Sequence, residues 1–235
     1  MKRLLLKLSG EALSVEGKRY DDQIISGIAT QVKQLLTDGY QIGIVIGGGN
    51  YWRGRTSENI DRTKADQIGM LATVMNAVAL QCALRKLNVS CRVQSAIDIN
   101  KIAEPYVRFK AVRHLEKGRV VIFAAGTGNP FFTTDTAAAL RASEIDADVM
   151  LMAKNGVDGV YTADPKLNPD AKKYDRIAYD DIIIRGLKVM DTASCSLCKE
   201  NNIPIIVFDF VAKGAVMKIL NDEKIGTYVG GTNVG

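Results

Sequence analysis

Glycine and basic residues recur where the apolar segments of this chain end. Residues 7–10, Lys-Leu-Ser-Gly, close one such segment, and residues 47–50, Gly-Gly-Gly-Asn, close the next, with Arg53 shortly afterwards. Glycines let backbone N–H groups approach a phosphate closely, and lysine and arginine supply the opposite charge. Each loop alone is compatible with an ordinary tight turn. Together they indicate a site for a polyanion.

Two later loops have the same character. Residues 126–130, Gly-Thr-Gly-Asn-Pro, lead to Asp135 at the start of a helical pattern, and Lys154 opens a Lys-Asn-Gly segment after another apolar run. A helix N-terminus carries partial positive charge and therefore favours an anion. These residue types suit phosphoryl transfer, because its loose transition state requires positioning and positive charge more than a general base.

The elements that must position these loops alternate regularly along the chain. Strands that are apolar throughout, separated by helices, are typical of a mostly parallel sheet covered on both faces. The predicted fold class is therefore α/β, a three-layer α/β/α sandwich, in a single domain over residues 1–235. Ligands bind such sheets beyond the carboxyl ends of the strands, where the glycine-rich loops lie.

The hydrophobic periodicity also predicts the bounds of these elements. The segment 157–188 predicts a hairpin and a surface excursion, with no other element placed there. Strands are predicted at 3–8, 41–46, 90–96, 119–125, 148–153 and 203–210; helices are predicted from a cap at Asp22 to a stop at Gly39, at 65–87, from Pro105 to Leu115, and at 136–145, 191–201 and 214–220.

Composition sets limits on the function. The net charge of +5 is mild and no basic run occurs, so we expect no nucleic-acid partner. The most apolar long stretch, residues 69–84, has 16 residues, short of the ~20 that span a bilayer, so no membrane segment is expected. Four cysteines indicate reduced thiols and a cytoplasmic protein, with Cys195 and Cys198 as small core residues of one helix. With one histidine and no second close pair of cysteines, a zinc site is not expected.

Several nucleotide-binding patterns are missing from the sequence. The G-x-x-x-x-G-K-[ST] motif does not occur, and the only histidine, His114, is not part of an H-R-D triplet and is assigned no role. Gly126-x-Gly128 is a fragment of the dinucleotide fingerprint, but Phe131 occupies the place of the third glycine. A dehydrogenase is therefore a weak alternative.

Six motifs give a more specific indication. In chain order they are KLSGEAL from Lys7, VIGGGNYWRG from Val45, D-x-x-G-M-L-A-T-V-M-N from Asp66 to Asn76, GTGNPFFTTD up to Asp135, VDGVYTADP from Val157, and LKVMD ending at Asp191. Over nearly its whole length the chain resembles the bacterial uridylate kinases of the amino-acid-kinase superfamily, and GTGNPFFTTD marks that branch. The resemblance implies the α/β/α fold of that superfamily. It also implies transfer of the γ-phosphoryl group of MgATP to UMP, giving UDP and ADP, in the synthesis of pyrimidine nucleotides (CTP).

The resemblance also implies residue roles on the donor side. Lys7 bridges to the transferred group, Arg53 clamps phosphate and Asp135 orients the lysine, so these three are the implied catalytic residues. Tyr161 could equally be a packing ring, and the role of Lys154 stays open. The implied ATP contacts are Lys7, Leu8, Ser9, Gly10, Gly49, Arg53, Asn155, Tyr161 and Asp164.

On the acceptor side, Asp66 matches a carboxylate that contacts the ribose hydroxyls of UMP, a role compatible with a polar residue at the start of a helix. The N-terminal part of the domain then holds mainly UMP and the C-terminal part mainly ATP. Mg²⁺ accompanies ATP, whose phosphates hold most of its coordination shell, and Asp135 and Asp164 are the candidate protein ligands, directly or through water. The implied UMP contacts are Gly48, Asp66, Thr127, Gly128, Asn129, Pro130, Phe131, Phe132, Thr133 and Thr134.

The resemblance further implies a homohexamer, a trimer of dimers, and feedback inhibition by UTP at the UMP site. Many relatives carry a Gly-Phe-Gly-type segment associated with activation by GTP, whereas this chain has Lys18, Arg19 and Tyr20 there, which puts that activation in doubt. Two alternatives stay open besides the dehydrogenase. One is an anion-binding protein without turnover, and the other is a sister kinase acting on a carboxylate or carbamate.

Overall fold

The computed structural model describes residues 2–15, 17–52, 60–154, 156–165, 167–187, 189–210, 216 and 225–231. Within these residues, nine strands form one sheet in the order β4-β3-β5-β2-β1-β6-β8-β9-β7, and every pair is parallel except β8 with β9. The predicted, mostly parallel α/β sheet is therefore confirmed. The strands are β1 Arg3–Leu8, β2 Gln41–Ile46, β3 Cys91–Ser95, β4 Glu104–Pro105, β5 Val120–Ala124, β6 Val149–Lys154, β7 Arg176–Ala178, β8 Ile205–Asp209 and β9 Thr227–Gly230.

Helices cover both faces of this sheet. Side chains alternate along each strand, so Leu4 and Leu6 of β1 pack into one apolar layer while Leu5 packs into the other. The first layer contains helices α1 and α2, and the second contains α3, α4 and α6. Each such leucine contributes about 1.5–3 kcal/mol by leaving water. The helices are α1 Asp22–Thr37, α2 Arg62–Lys86, α3 Arg108–Glu116, α4 Thr134–Glu144, α5 Tyr179–Arg185 and α6 Thr192–Glu200, with a 3₁₀ turn at Gly10–Leu13.

Helix α2 is longer than its sequence pattern predicted. It has 25 residues, begins three residues before the expected Ala65, and is capped by the side chain of Asp61, which accepts a hydrogen bond from Lys64 N. By length and composition it could cross a membrane, in contrast to the expectation from residues 69–84. It packs against α1, β3 and β5, however, and 44% of its most apolar window is buried. Such packing is typical of a core helix.

The starts of α1 and α3 were also predicted wrongly. Asp21, not Asp22, caps α1, because its extended backbone lets its carboxylate accept hydrogen bonds from Gln23 N and Ile24 N. Pro105 does not lie in a helix: it ends the short strand β4, beside Ser95 of β3. Helix α3 starts three residues later, and Phe109, expected on its apolar face, is 76% exposed.

The remaining predictions vary in accuracy. The bounds of β1 and β2 are confirmed, and the other four predicted strands differ by one or two residues at an end. Residues 157–188 contain an antiparallel bridge between Tyr161 and Lys173, as a hairpin requires, but also the unpredicted β7 and α5. Strands β4 and β9 were missed because each has four residues or fewer. The helix predicted at 214–220 lies outside the described residues except for Val216.

Candidate active site

A buried ion pair lies at the carboxyl edge of the sheet. Lys7, at the end of β1, places its Nζ 2.7 Å from Oδ1 of Asp135, and its side chain is 8% exposed. Asp135 lies in the first turn of α4, whose start is fixed by Thr133: the hydroxyl oxygen of Thr133 accepts hydrogen bonds from Asp135 N and Thr136 N. The strand end and the helix start therefore hold the two charges together.

A cavity of about 500 Å³ is lined in part by Thr133 and Thr134, the two residues that precede Asp135. The loops after β2 and β5 and the first half of α2 form its walls. Seven of the ten predicted acceptor contacts line it, together with Gly49, which was predicted on the donor side; Gly128, Pro130 and Phe131 do not. The lining residues are Glu11, Gly48, Gly49, Trp52, Ala65, Asp66, Gly69, Met70, Thr73, Ala125, Gly126, Thr127, Asn129, Phe132, Thr133 and Thr134.

Close approach between loops explains two of the conspicuous glycines. A Cβ atom at Gly48 would lie 2.9 Å from both the Ala72 Cβ and the Gly69 carbonyl oxygen of α2. A Cβ at Gly10 would lie 2.6 Å from the backbone nitrogen of Gly49. Only glycine lets the β1 loop, the β2 loop and α2 come this near to one another, and the cavity depends on that approach.

Asp66 joins α2 to the loop that follows β5. Its Oδ2 accepts hydrogen bonds from Phe131 N at 2.8 Å and from Arg62 Nε at 2.9 Å. Phe131 has φ = +71°, in the left-handed region that a glycine would normally occupy and that costs other residues about 1–2 kcal/mol. The hydrogen bond to Asp66 helps to offset that strain. Asp66 thus shapes the cavity wall as well as facing into it.

Polar residues of α2 also fix the glycine loops, and sequence reasoning missed this. Thr73 Oγ1 accepts a hydrogen bond from Ala125 N at 2.7 Å, and Asn76 Nδ2 donates to Gly47 O at 2.6 Å. Both side chains are almost fully buried. The available signal was two polar residues three positions apart within residues 68–80, the otherwise apolar middle of the helix.

A second cavity, of about 440 Å³, is lined by residues between 154 and 189, in the C-terminal part of the chain. The predicted donor residues Tyr161 and Asp164 line it, as does Lys154. Tyr161 donates a hydrogen bond to Asp158, which raises the pKa of the tyrosine. Burial alone would raise the pKa of Asp158, but hydrogen bonds from Lys173 and Tyr161 lower it. The lining residues are Lys154, Val157, Gly159, Val160, Tyr161, Ala163, Asp164, Pro165, Leu167, Gly186, Leu187 and Val189.

Comparison with known proteins then identifies the family. Residues 2–209 match the family model described as Amino acid kinase family. The chain belongs to the amino acid kinase family. The structure of this amino acid kinase is similar to that of UMP kinase from Bacillus anthracis, with 41% identity and a TM-score of 0.95 over 98% of this chain and 96% of the other.

Two further solved structures are similar to this amino acid kinase. UMP kinase from Ureaplasma parvum is 40% identical, with a TM-score of 0.93 over 97% of this chain and 98% of the other. Uridylate kinase from Archaeoglobus fulgidus is 30% identical, with a TM-score of 0.74 over 97% of this chain and all of the other. The family resemblance inferred from the motifs is therefore confirmed.

The other predicted donor residues of this amino acid kinase divide into three groups. Ser9 caps the 3₁₀ turn, and its hydroxyl accepts a hydrogen bond from Ala12 N at 3.2 Å. Leu8 is fully buried in the core, so only its backbone faces the loop region. Arg53 and Asn155 lie outside the described residues.

Asp191, the last residue of the LKVMD motif, links the starts of two helices. Its carboxylate accepts hydrogen bonds from the hydroxyls of Thr133 and Thr136 in the α4 region and from Ser194 N of α6. Thr133 lines the first cavity, so Asp191 supports that wall from behind. The sequence marked this aspartate only as part of a family motif.

The residues for which the sequence predicted no catalytic or binding role, namely His114, Cys195 and Cys198, line neither of the two cavities. His114 contacts Glu104 at 3.0 Å and Arg119 at 3.1 Å. Cys195 and Cys198 are buried in α6, as predicted, and burial raises the pKa of their thiols to about 11 and about 12. Among the described residues, no cluster of three His, Cys, Asp or Glu side chains could hold a metal ion.

Proposed function

We propose that this amino acid kinase is a UMP kinase, which transfers the γ-phosphoryl group of ATP to UMP and gives UDP and ADP in the synthesis of pyrimidine nucleotides such as CTP. The observation that carries the proposal is the buried Lys7–Asp135 pair at the carboxyl edge of the sheet. Asp135 directly follows Thr134, which lines the first cavity, and its charge also acts on Lys154, which lines the second. The full-length similarity to UMP kinases supports the same conclusion.

We assign UMP to the first cavity and ATP to the second. The first is built from residues 11–134 and the second from residues 154–189, which agrees with an N-terminal acceptor part and a C-terminal donor part of one domain. Asp66 is a carboxylate in the first cavity, and carboxylate oxygens accept hydrogen bonds from hydroxyls such as those of ribose. Arg53, together with Lys7 and Asp135, completes the proposed catalytic set.

The chemistry requires little of the protein beyond placement and charge. The nucleophile is a phosphate oxygen of UMP that is already anionic at neutral pH, so no general base is needed. Lys7, held by Asp135, neutralises charge on the transferred group without exchanging a proton. This suits a site whose cavities contain no histidine among their described lining residues.

Mg²⁺ enters with ATP as part of the substrate in this proposal. Carboxylate oxygen is the kind of ligand that Mg²⁺ accepts, and Asp135 presents one beside the place assigned to the transferred group. When bound, the ion neutralises charge on the phosphates. Lys7 and the residues that line the two cavities bind and orient the nucleotides.

We further propose that the enzyme is a cytoplasmic homohexamer, a trimer of dimers, that UTP inhibits by occupying the UMP cavity. Support for assembly comes from α2, where Ile68, Leu71 and Met75 follow one another along the helix and are 37%, 52% and 46% exposed. Exposed apolar side chains in such a row are typical of a surface that a partner covers. We expect no strong activation by GTP, because Lys18, Arg19 and Tyr20 replace the segment associated with it.

The test is ADP release from MgATP with UMP, CMP, carbamate, N-acetylglutamate and aspartate offered separately. The proposal expects turnover with UMP and at least 100-fold less with the three acceptors that lack a nucleotide, because a site built to bind polar groups discriminates by about that factor or more. Turnover with carbamate or a carboxylate instead would indicate a sister kinase. ATP binding without turnover of any acceptor would indicate an anion-binding protein.

A further inference from the structure

We propose that Lys154 is a phosphate-binding residue of the donor site, whose ammonium group binds the β-phosphate of ATP, the phosphate that leaves as the end of ADP. The inference rests on the proposed function, because it assigns a role within the ATP cavity. Lys7 would then contact the transferred group and Lys154 the leaving group.

The sheet places both lysines on the same face and at the same edge. Lys154 is the last residue of β6, and Met152, two residues before it, lies beside Lys7 of β1. Side chains two residues apart in a strand point to the same face. Met152 packs in the same apolar layer as Leu5, so the side chains of Lys7 and Lys154 both emerge towards the starts of α4 and α6.

The surroundings of Lys154 favour an anionic ligand. Its side chain lines the second cavity and is only partly exposed. Other lysines in partly buried positions have carboxylate partners: Lys7 has Asp135 at 2.7 Å and Lys173 has Asp158 at 2.8 Å. Within the described part of the chain, Nζ of Lys154 forms no hydrogen bond or ion pair. Burial removes water from the ammonium group of Lys154 and leaves it without a charged partner among the residues that the structure describes. A phosphate bound in the cavity would supply that partner.

The charges around Lys154 also favour an anionic ligand. Burial lowers its pKa, and the neighbouring charge of Lys7 lowers it further, whereas Asp135 and Asp191 raise it. The two carboxylates do not compensate fully, since the net direction is downward. A phosphate in the cavity would add the missing negative charge and favour the protonated lysine.

A positive charge beside the β-phosphate would assist the proposed reaction. An oxygen of the UMP phosphate forms a bond to the γ-phosphorus of ATP, while the bond from that phosphorus to the β–γ bridging oxygen breaks. The electron pair stays on the bridging oxygen, which becomes a terminal oxygen of the β-phosphate of ADP. No proton moves and the total charge is conserved. An ammonium group beside the β-phosphate stabilises the charge that develops there.

The test compares binding of ADP and AMP to Lys154→Met by calorimetry, with Lys33→Met, an exposed lysine of α1, as the matched control. AMP lacks the β-phosphate, so it reports on the rest of the cavity alone. We expect Lys154→Met to weaken ADP binding about 10- to 100-fold, the range for a hydrogen bond to a charged group. AMP binding should change less than about threefold, and Lys33→Met should alter neither.

Kinetics provide a second readout. In Lys154→Met the ratio kcat/KM for ATP should fall while KM for UMP stays constant, and Lys154→Gln should repeat the result if the methionine variant folds poorly. Unchanged ADP binding, or equal losses of ADP and AMP binding, would overturn the inference. If the wild-type protein binds ADP through Lys154 but does not turn over UMP, the proposed function fails and the inference about Lys154 stands.

Discussion

The ammonium group of Lys7 lies 2.7 Å from the carboxylate of Asp135, and the two side chains are only 8% and 16% exposed. Burying two charges costs nearly as much as their attraction returns, so such a pair contributes little net stability. Its effect is to hold the lysine in one orientation at the carboxyl edge of the sheet. We therefore expect the pair to matter more for rate than for folding.

Asp135→Asn tests this directly. Loss of the carboxylate frees Lys7 to move, and kcat should fall about 100- to 1000-fold, as when a donor to a transition state is removed. The unpaired lysine should also lower the free energy of unfolding by about 1–3 kcal/mol. Single-turnover rates and urea titration measure the two effects. Asp180→Asn, which breaks the exposed pair with Lys199, serves as the control and should change neither. An Asp135→Asn enzyme with normal kcat would contradict the positioning role.

Asp66 should determine affinity for the acceptor. Asp66→Asn removes the charge proposed to accept hydrogen bonds from ribose hydroxyls, so KM for UMP should rise about tenfold, while KM for ATP stays unchanged. Arg62→Ala is the matched variant, because it removes the ion pair to Asp66 but keeps the carboxylate. Its effect on KM should be smaller. Equal changes in both KM values would show that Asp66 acts only on the fold.

The sequence predicted the sheet and the glycine loops at its edge because both depend on local patterns, whereas the other predicted residues of the first cavity were implied by the family resemblance. Buried strands appear as apolar runs, and a glycine loop after a strand such as β2 lies at the ligand edge of any parallel sheet. Contacts between distant segments leave no such pattern. The hydrogen bond from Phe131 N to Asp66 and the bond from the Thr133 hydroxyl to Asp191 each join residues more than fifty positions apart. Pro105 was misplaced because proline is equally suited to a helix start and a strand end.

Asp191 should contribute to stability through two helices at once. Asp191→Ala removes the cap of α6 and the acceptor for the hydroxyls of Thr133 and Thr136, and should lower the free energy of unfolding by about 2–3 kcal/mol. Asp21→Ala removes only the cap of α1 and should cost about 1 kcal/mol. Urea titration of both variants measures the difference. Equal losses would mean that the two threonine contacts add nothing.

The buried charge of Lys154 should make the ligand-free protein less stable at neutral pH than it would be without that charge. Because burial lowers its pKa in the folded state, the unfolded chain binds more protons between that value and the usual lysine value of about 10.4. Unfolding free energy therefore rises with pH through this window. Lys154→Met should be more stable than the wild type at pH 7, and the gap should narrow as the pH rises. If the difference in unfolding free energy between Lys154→Met and the wild type did not change with pH, the charge of Lys154 would be excluded as its cause.

The exposed row Ile68, Leu71 and Met75 on α2 should be the contact that holds the proposed hexamer together. Met75→Lys places a charge at the end of this row and should reduce the mass measured by light scattering, because an unpaired charge buried in an interface is strongly unfavourable. Ile184→Lys, at a position 83% exposed elsewhere, is the control and should leave the assembly intact.

Labelling of the exposed thiol of Cys82 gives an independent measure of the same surface. Cys82 lies seven positions after Met75 on α2 and hence on the same face of the helix. In the assembled protein a maleimide should react slowly with Cys82, and in Met75→Lys it should react fast. A wild-type protein that is monomeric, with Cys82 fully reactive, would show that this row does not form an interface between copies of the chain. Because ATP and UMP are assigned to cavities formed within one chain, turnover should survive in Met75→Lys.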